Sequence, residues 1–210
     1  MSESGYDLES LAWRLRSIVG EENVRVDEPM SEHTTFKVGG PADIYVIPDD
    51  ADEVHDVLEE CKSAAAPYFI LGYGSDLLVS DAGYRGVIVA IADGMSGVTV
   101  EDNEITCQAG VGLREASEMA CELDLTGLEF ACGIPGSIGG AIFMNAGAYD
   151  DEMKSVVASV KTVTPTGDIH LYSADELDFG YRHSIFQSCD EAICETRLHL
   201  HKEDVHIILQ

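Results

Sequence analysis

Basic residues are scarce in this chain: Lys and Arg number 12 among 210 residues, against 39 Asp and Glu, for a formal net charge of −27. A field of that sign repels polyanions, which argues against nucleic acid and anionic lipid as partners. Long apolar runs are missing as well. No stretch approaches the ~18 residues of a membrane span, yet hydrophobic residues make up 45% of the sequence. That combination excludes an integral membrane protein and a disordered chain and leaves a soluble globular one. Six cysteines, at 61, 107, 121, 132, 189 and 194, include no C-x-x-C pair and have no His at zinc-ligand spacing, so no metal site is indicated. Set in patterns such as Glu59-Glu60-Cys61 and Met119-Ala120-Cys121, they read as reduced, small, buried hydrophobes. The opening residues lack a basic or apolar leader, because Met1 to Ser10 already carries Glu3, Asp7 and Glu9. A cytoplasmic protein, monomeric by default, is expected.

What is present is a mixture of helical and strand periodicity. Leu8, Leu11, Ala12, Leu15, Ile18 and Val19 mark one face of an N-terminal helix, with Gly20 placed to stop it. Glu21 to Glu32 is acidic and contains Pro29, and Thr34 to Val38 has strand-like composition ending at Gly39-Gly40-Pro41. Asp43 to Ile47 reads as a strand and Asp49 to Ala64 as a helix behind an Asp cap. Tyr68-Phe69-Ile70-Leu71 is of the buried-strand kind, followed by a glycine loop and Leu77-Leu78-Val79, so 43 to 91 is β-α-β-loop-β. Strands are expected at 86–91, 97–100, 104–109, 156–164, 169–172 and 192–201, with a helix at 113–123 and a hairpin turn at Thr166-Gly167-Asp168. Phe130 to Tyr149 breaks all regular pattern. The order predicts an α+β protein of two lobes meeting near residue 100.

Three segments concentrate glycine beyond what a plain core requires. Gly72-Tyr73-Gly74-Ser75-Asp76 follows a buried strand, where small residues let successive amides converge on an anion. Gly110-Val111-Gly112 lies at a strand-to-helix junction, whose positive end favours negative charge. Gly133-Ile134-Pro135-Gly136-Ser137-Ile138-Gly139-Gly140-Ala141 is too rich in glycine for ordinary structure. One such loop is usually structural; three together predict a cradle for a large phosphate-bearing cofactor. Neither a Walker loop nor the dinucleotide fingerprint is present, since Gly-Lys-Ser/Thr is absent from 72–79 and 133–141 and Leu77 fills the third glycine place. Backbone amides must then do the binding. A fourth segment, Phe179-Gly180-Tyr181-Arg182-His183-Ser184, sets an Arg among aromatic and apolar residues, where it calls for an anion: a ligand carboxylate or phosphate, or simply one of the many acids.

Taken in order, His33 to Ala42, Gly72-x-Gly74-Ser75-x-Leu77-Leu78, Gly133 to Ala141 running on to Asn145-Ala146-Gly147-Ala148-Tyr149, and Tyr181-Arg182-x-Ser184 resemble the UDP-N-acetylenolpyruvoylglucosamine reductase (UDP-N-acetylmuramate dehydrogenase) family over about residues 10–205. The resemblance implies an FAD-binding domain of the vanillyl-alcohol-oxidase (PCMH) type, two α+β lobes of about 31–100 and 101–201 with FAD between them, after an N-terminal helix and lead-in over 1–30. It implies that Gly72, Tyr73, Gly74, Ser75 and Asp76 carry the pyrophosphate, with Gly39, Gly40, Gly110, Gly133, Gly136, Ser137, Gly139 and Gly140 around the rest of the flavin. It further implies NADPH as the reductant and a UDP-sugar as the substrate. On the same resemblance Arg182 is expected to be the catalytic residue and, with Tyr181, to meet the substrate. Two departures follow: Asp76 replaces the usual Asn, and the sequence ends at Gln210, with 202–210 read as the start of a C-terminal substrate domain that in the family supplies a Ser proton donor and a late Glu acid. A non-catalytic FAD-binding module is the alternative reading.

Overall fold

The computed structural model describes residues 5–203; the readings placed on 1–4 and 204–210, including the start of a further domain, lie outside them. The described chain forms two compact units, one of the chain through Met95 plus Val163–Asp168, the other of Ser96–Thr162 and the chain from Ile169 onward. The N-terminal helix belongs to the first unit.

In the first unit β1 (Val24–Pro29), β2 (Pro41–Val46), β3 (Tyr68–Leu71) and β4 (Tyr84–Ala90) form a sheet of spatial order β1-β2-β4-β3. β1 runs antiparallel to β2, while β4 is parallel to both β2 and β3. α2 (Ala51–Ser63) carries the chain from β2 to β3, leaving the place between them to β4, and starts on Asp50, whose carboxylate accepts the Glu53 amide. α1 (Leu8–Val19) begins on Asp7 in the same way and ends at Gly20, φ +93°. It buries Leu11, Ala12, Leu15 and Val19 and packs on α2, β1 and β2. A one-turn helix, α3 (Ile91–Gly94), follows β4. Met30, Tyr45, Leu71 and Ile88 join a core cluster on which Leu77 and Val79 rest. Burial pushes the Cys61 thiol up to about 12, with Glu60 adding to it, and all six cysteines are free.

Two expectations fail here. Thr34 to Val38 is a turn, closed by the Thr34 hydroxyl on Val38 O at 2.9 Å and the Lys37 amide on Thr34 O at 3.1 Å, with Lys37 at φ +55°. A hydroxyl that satisfies its own backbone overrides β composition. Leu77 to Val79 likewise stays in a loop, and β4 takes the place beside β3. β1 went unread in the acidic stretch, because an edge strand tolerates charge and a terminal proline.

The second unit has β5 (Val98–Glu101), β6 (Glu104–Gln108), α4 (Leu113–Glu122), β7 (Leu125–Thr126), α5 (Ile138–Met144), β8 (Gly147–Ala148), β9 (Asp151–Glu152), β10 (Val157–Val163), β11 (Ile169–Ser173), β12 (Ala192–His199) and β13 (His201–Lys202). Its main sheet has order β11-β10-β12-β6-β5, and α5 packs on β12 and β6. α5 breaks the expected irregularity of 130–149; Gly139 and Gly140 lower its intrinsic propensity and hid it. Among the described residues no helix is long and apolar enough to cross a membrane.

Candidate functional site

Two loops of the first unit are stitched together at their backbones. Met30 and Ser31 donate to Gly40 O and Gly39 O, each at 3.2 Å, Gly40 N donates to Ser80 O at 2.9 Å, and Thr35 N donates to Gly74 O at 3.1 Å. Gly74 is buried at φ +61°, and a methyl there would land on the His33 carbonyl oxygen, so glycine is required on both counts. Among the described residues, the amides of Gly74, Ser75 and Asp76 donate to no protein acceptor, and the Asp76 carboxylate takes no hydrogen bond. The strand before them, β3, is buried only at Leu71 and not throughout as expected, since Phe69 faces outward, but consecutive unclaimed amides at its end form a nest suited to phosphate oxygens. Tyr73 is half-exposed beside them.

In the second unit the end of β6 and the starts of α4 and α5 interlock. Leu113 N donates to Gly136 O at 2.9 Å, Ile138 N to Val111 O and Gly139 N to Ala109 O, both at 2.8 Å, and Gly112 faces Ser137 across a β-bridge. The Gly140 amide goes to Ser137 Oγ at 3.3 Å. The amides of Gly139 and Gly140 are therefore used inside the protein, unlike those of the 74–76 loop. What this segment offers is bare backbone: a Cβ on Gly133 would meet nothing within 4 Å, and one on Gly140 only Ser137 Oγ at 3.4 Å. Gly110 lies on the buried side of the same junction.

The structure also joins two sequence motifs within this unit. Asn145, left-handed at φ +42° and 1% exposed, donates to Gly180 O and accepts from Lys154 N, both at 3.0 Å. Ser184 Oγ donates to Phe143 O at 2.7 Å, and Gln187 Nε2 bridges Phe143 O and Arg182 O. Arg182 stands exposed at φ +52°, with Nη2 donating to Gly147 O at 3.1 Å and the guanidinium 5.8 Å from the ring of the exposed Tyr181. Among the described residues no carboxylate pairs with Arg182, so the bland alternative of an internal acid partner is not realised. Its remaining N–H groups are open to an incoming anion.

Sequence reasoning missed the side chains behind these loops. His33 stacks on Tyr45 and meets Glu28, and Asn145 and Gln187 fasten the Arg182 segment. His33 and Asn145 stood inside quoted motifs, but nothing local marked their partners. His55, Asp56 and Glu59 bring three ligating atoms within 4.8 Å on α2, an acidic face of a common kind.

Residues 42–173 match the FAD binding domain family, and the chain belongs to it. Its fold is that of the vanillyl-alcohol-oxidase (PCMH) type: p-cresol methylhydroxylase superposes with TM-score 0.71 at 14% identity, over 95% of this chain and 45% of that one. Within that class the chain is similar to UDP-N-acetylenolpyruvoylglucosamine reductases. It is 44% identical to the reductase of Clostridium kluyveri over 194 residues, 92% of this chain and 64% of the relative, and 41% identical to that of Syntrophomonas wolfei, over 87% and 61%. The crystal structure of the Thermus caldophilus reductase matches with TM-score 0.74 and 31% identity, covering 89% of this chain and 66% of that one. The chain thus spans somewhat under two thirds of the length of these relatives.

Proposed function

We propose that this chain holds FAD in the NADPH-linked reduction of UDP-N-acetylenolpyruvoylglucosamine to UDP-N-acetylmuramate, a cytoplasmic step of peptidoglycan synthesis. The observation that carries the reading is the open guanidinium of Arg182, fastened to Gly147 in the cluster that unites 143–147 with 180–187. The free amides of 74–76 and the bare backbone at Gly133 and Gly140 fit FAD, the first as hydrogen-bond donors to the pyrophosphate oxygens, the second as a surface against which a planar ring lies. A chain this poor in cations suits amide-based recognition.

Bound FAD supplies a two-electron carrier that takes hydride from NADPH and gives it to the enolpyruvyl double bond. The chain's own contribution is electrostatic. Hydride arriving at the terminal vinyl carbon leaves an electron pair delocalised onto the substrate carboxylate, and a proton must then reach the neighbouring carbon. Arg182 stabilises that negative charge through a guanidinium already oriented by Gly147, and Tyr181 lies beside it to meet the sugar nucleotide. Release of flavin by denaturation followed by chromatography tests the cofactor; FMN, or no flavin after reconstitution, would defeat it. Arg182→Ala is expected to lower kcat by roughly 10²-fold with flavin content unchanged. Loss of flavin in that variant would move Arg182 to the cofactor site.

A further inference from the structure

The nest at 72–76 rests on a floor, the backbone of residues 33–35. Besides the His33 carbonyl oxygen, a methyl on Gly74 would come within 3.3 Å of Thr34 Cα, and Thr35 holds Gly74 O from below. Wherever this short stretch goes, the loop amides follow. Its place is set by the His33 ring, which stacks on Tyr45 with centroids 4.1 Å apart and planes at 26°, and whose Nε2 lies 2.8 Å from Glu28 Oε1. Both partners are themselves held. Tyr45 is 1% exposed and donates to Asp93 at 2.8 Å; the same Glu28 oxygen accepts from Arg25 at 2.9 Å, and the Arg25 guanidinium lies 5.8 Å from the Tyr45 ring. Burial pushes the Glu28 carboxyl up, but the bonds from His33 and Arg25 outweigh it and keep the group ionised as their acceptor.

We infer that His33 is a positioning residue for the phosphate-binding loop, an inference that rests on 72–76 taking a pyrophosphate. The ring is wedged between a fixed aromatic face and a fixed carboxylate, so the carbonyl that carries Gly74 has one height. N–H to phosphate bonds weaken steeply off line, so tilting the Gly74, Ser75 and Asp76 amides costs affinity without breaking any core contact. The role differs from that of the loop glycines: the His33 ring is engaged by Tyr45 and Glu28 and acts through the backbone it supports.

The test compares parent, His33→Phe, which keeps a stacked ring but loses the Glu28 bond, and Glu28→Gln, which keeps a neutral acceptor. Affinities for FAD, for ADP and for riboflavin are measured by titration, beside the melting midpoint of the flavin-free proteins. His33→Phe is expected to bind FAD and ADP about ten-fold more weakly, by the same factor, with riboflavin affinity and melting unchanged; Glu28→Gln shows a smaller common loss. Should His33→Phe fail to fold, the common loss in Glu28→Gln decides. Unchanged affinities in the variants, or a loss for FAD that ADP does not share, would overturn the inference. A parent protein that binds neither FAD nor ADP would overturn the pyrophosphate reading of the loop itself, and this inference with it.

Discussion

Asp76 places a carboxylate at the rim of a loop whose amides have no protein acceptor, and nothing in the described protein donates to quiet it. In water-like surroundings a carboxylate and a phosphate oxygen ~4 Å apart repel enough to weaken binding about five-fold. Asp76→Asn is therefore expected to tighten FAD by about that factor at low salt, with the gain fading as ions screen it. Equal or weaker binding of the variant would assign the carboxylate a structural task in the loop. At Arg182 the balance is the opposite: one bond to Gly147 orients the guanidinium and most of its donors stay open, while the bonds of Asn145 to Gly180 O and Gln187 to Arg182 O hold the left-handed backbone in place.

Strand β11, mostly exposed and paired with β10, is also tied down by one acid. Glu191 accepts from Thr162 Oγ1, from Tyr172 at 2.9 Å and from His170 Nδ1 at 3.0 Å. Burial pushes its carboxyl up, yet these three bonds prevail and its titration falls below the ordinary glutamate range. A depressed folded value means stability that is present above the unfolded value, about pH 4.3, and is lost as the pH falls through the folded one. Glu191→Gln should accordingly cost about 1 kcal/mol at neutral pH and flatten the acid side of the denaturation profile; an unaltered profile refutes the linkage. Elements with local cause were legible in the sequence: α1 and α2 through apolar spacing and Asp caps, β3 through a continuous apolar run, the 164–168 turn through Thr166-Gly167-Asp168. Elements fixed by distant partners were not. β1 exists because β2 pairs with it, α5 because Ala109 and Val111 receive its first amides, and the 34–38 turn because a hydroxyl closes it. The loops were found for the same reason, since glycine advertises itself, whereas His33 needs Tyr45 and Glu28 to mean anything.

The molecule as a whole carries −27 charges on 210 residues, and Lys and Arg are too few to pair them. Self-repulsion of that size opposes compaction and is screened over ~8–10 Å at ordinary ionic strength. Raising NaCl from ~0.1 M to ~1 M should therefore lift the melting midpoint by more than about 4 °C, and a flat or falling midpoint would remove repulsion from the account. The glycines described above divide in a way that bears on inheritance. At Gly40 and Gly74 a methyl would strike the protein's own carbonyl oxygens, whereas at Gly133 it would meet open space. A library of random substitutions selected only for folding should thus forbid change at the first two and tolerate it at Gly133. The same library selected for a yellow, flavin-loaded protein should forbid all three, so that two selections on one gene separate what the chain needs in order to fold from what it needs in order to hold its cofactor.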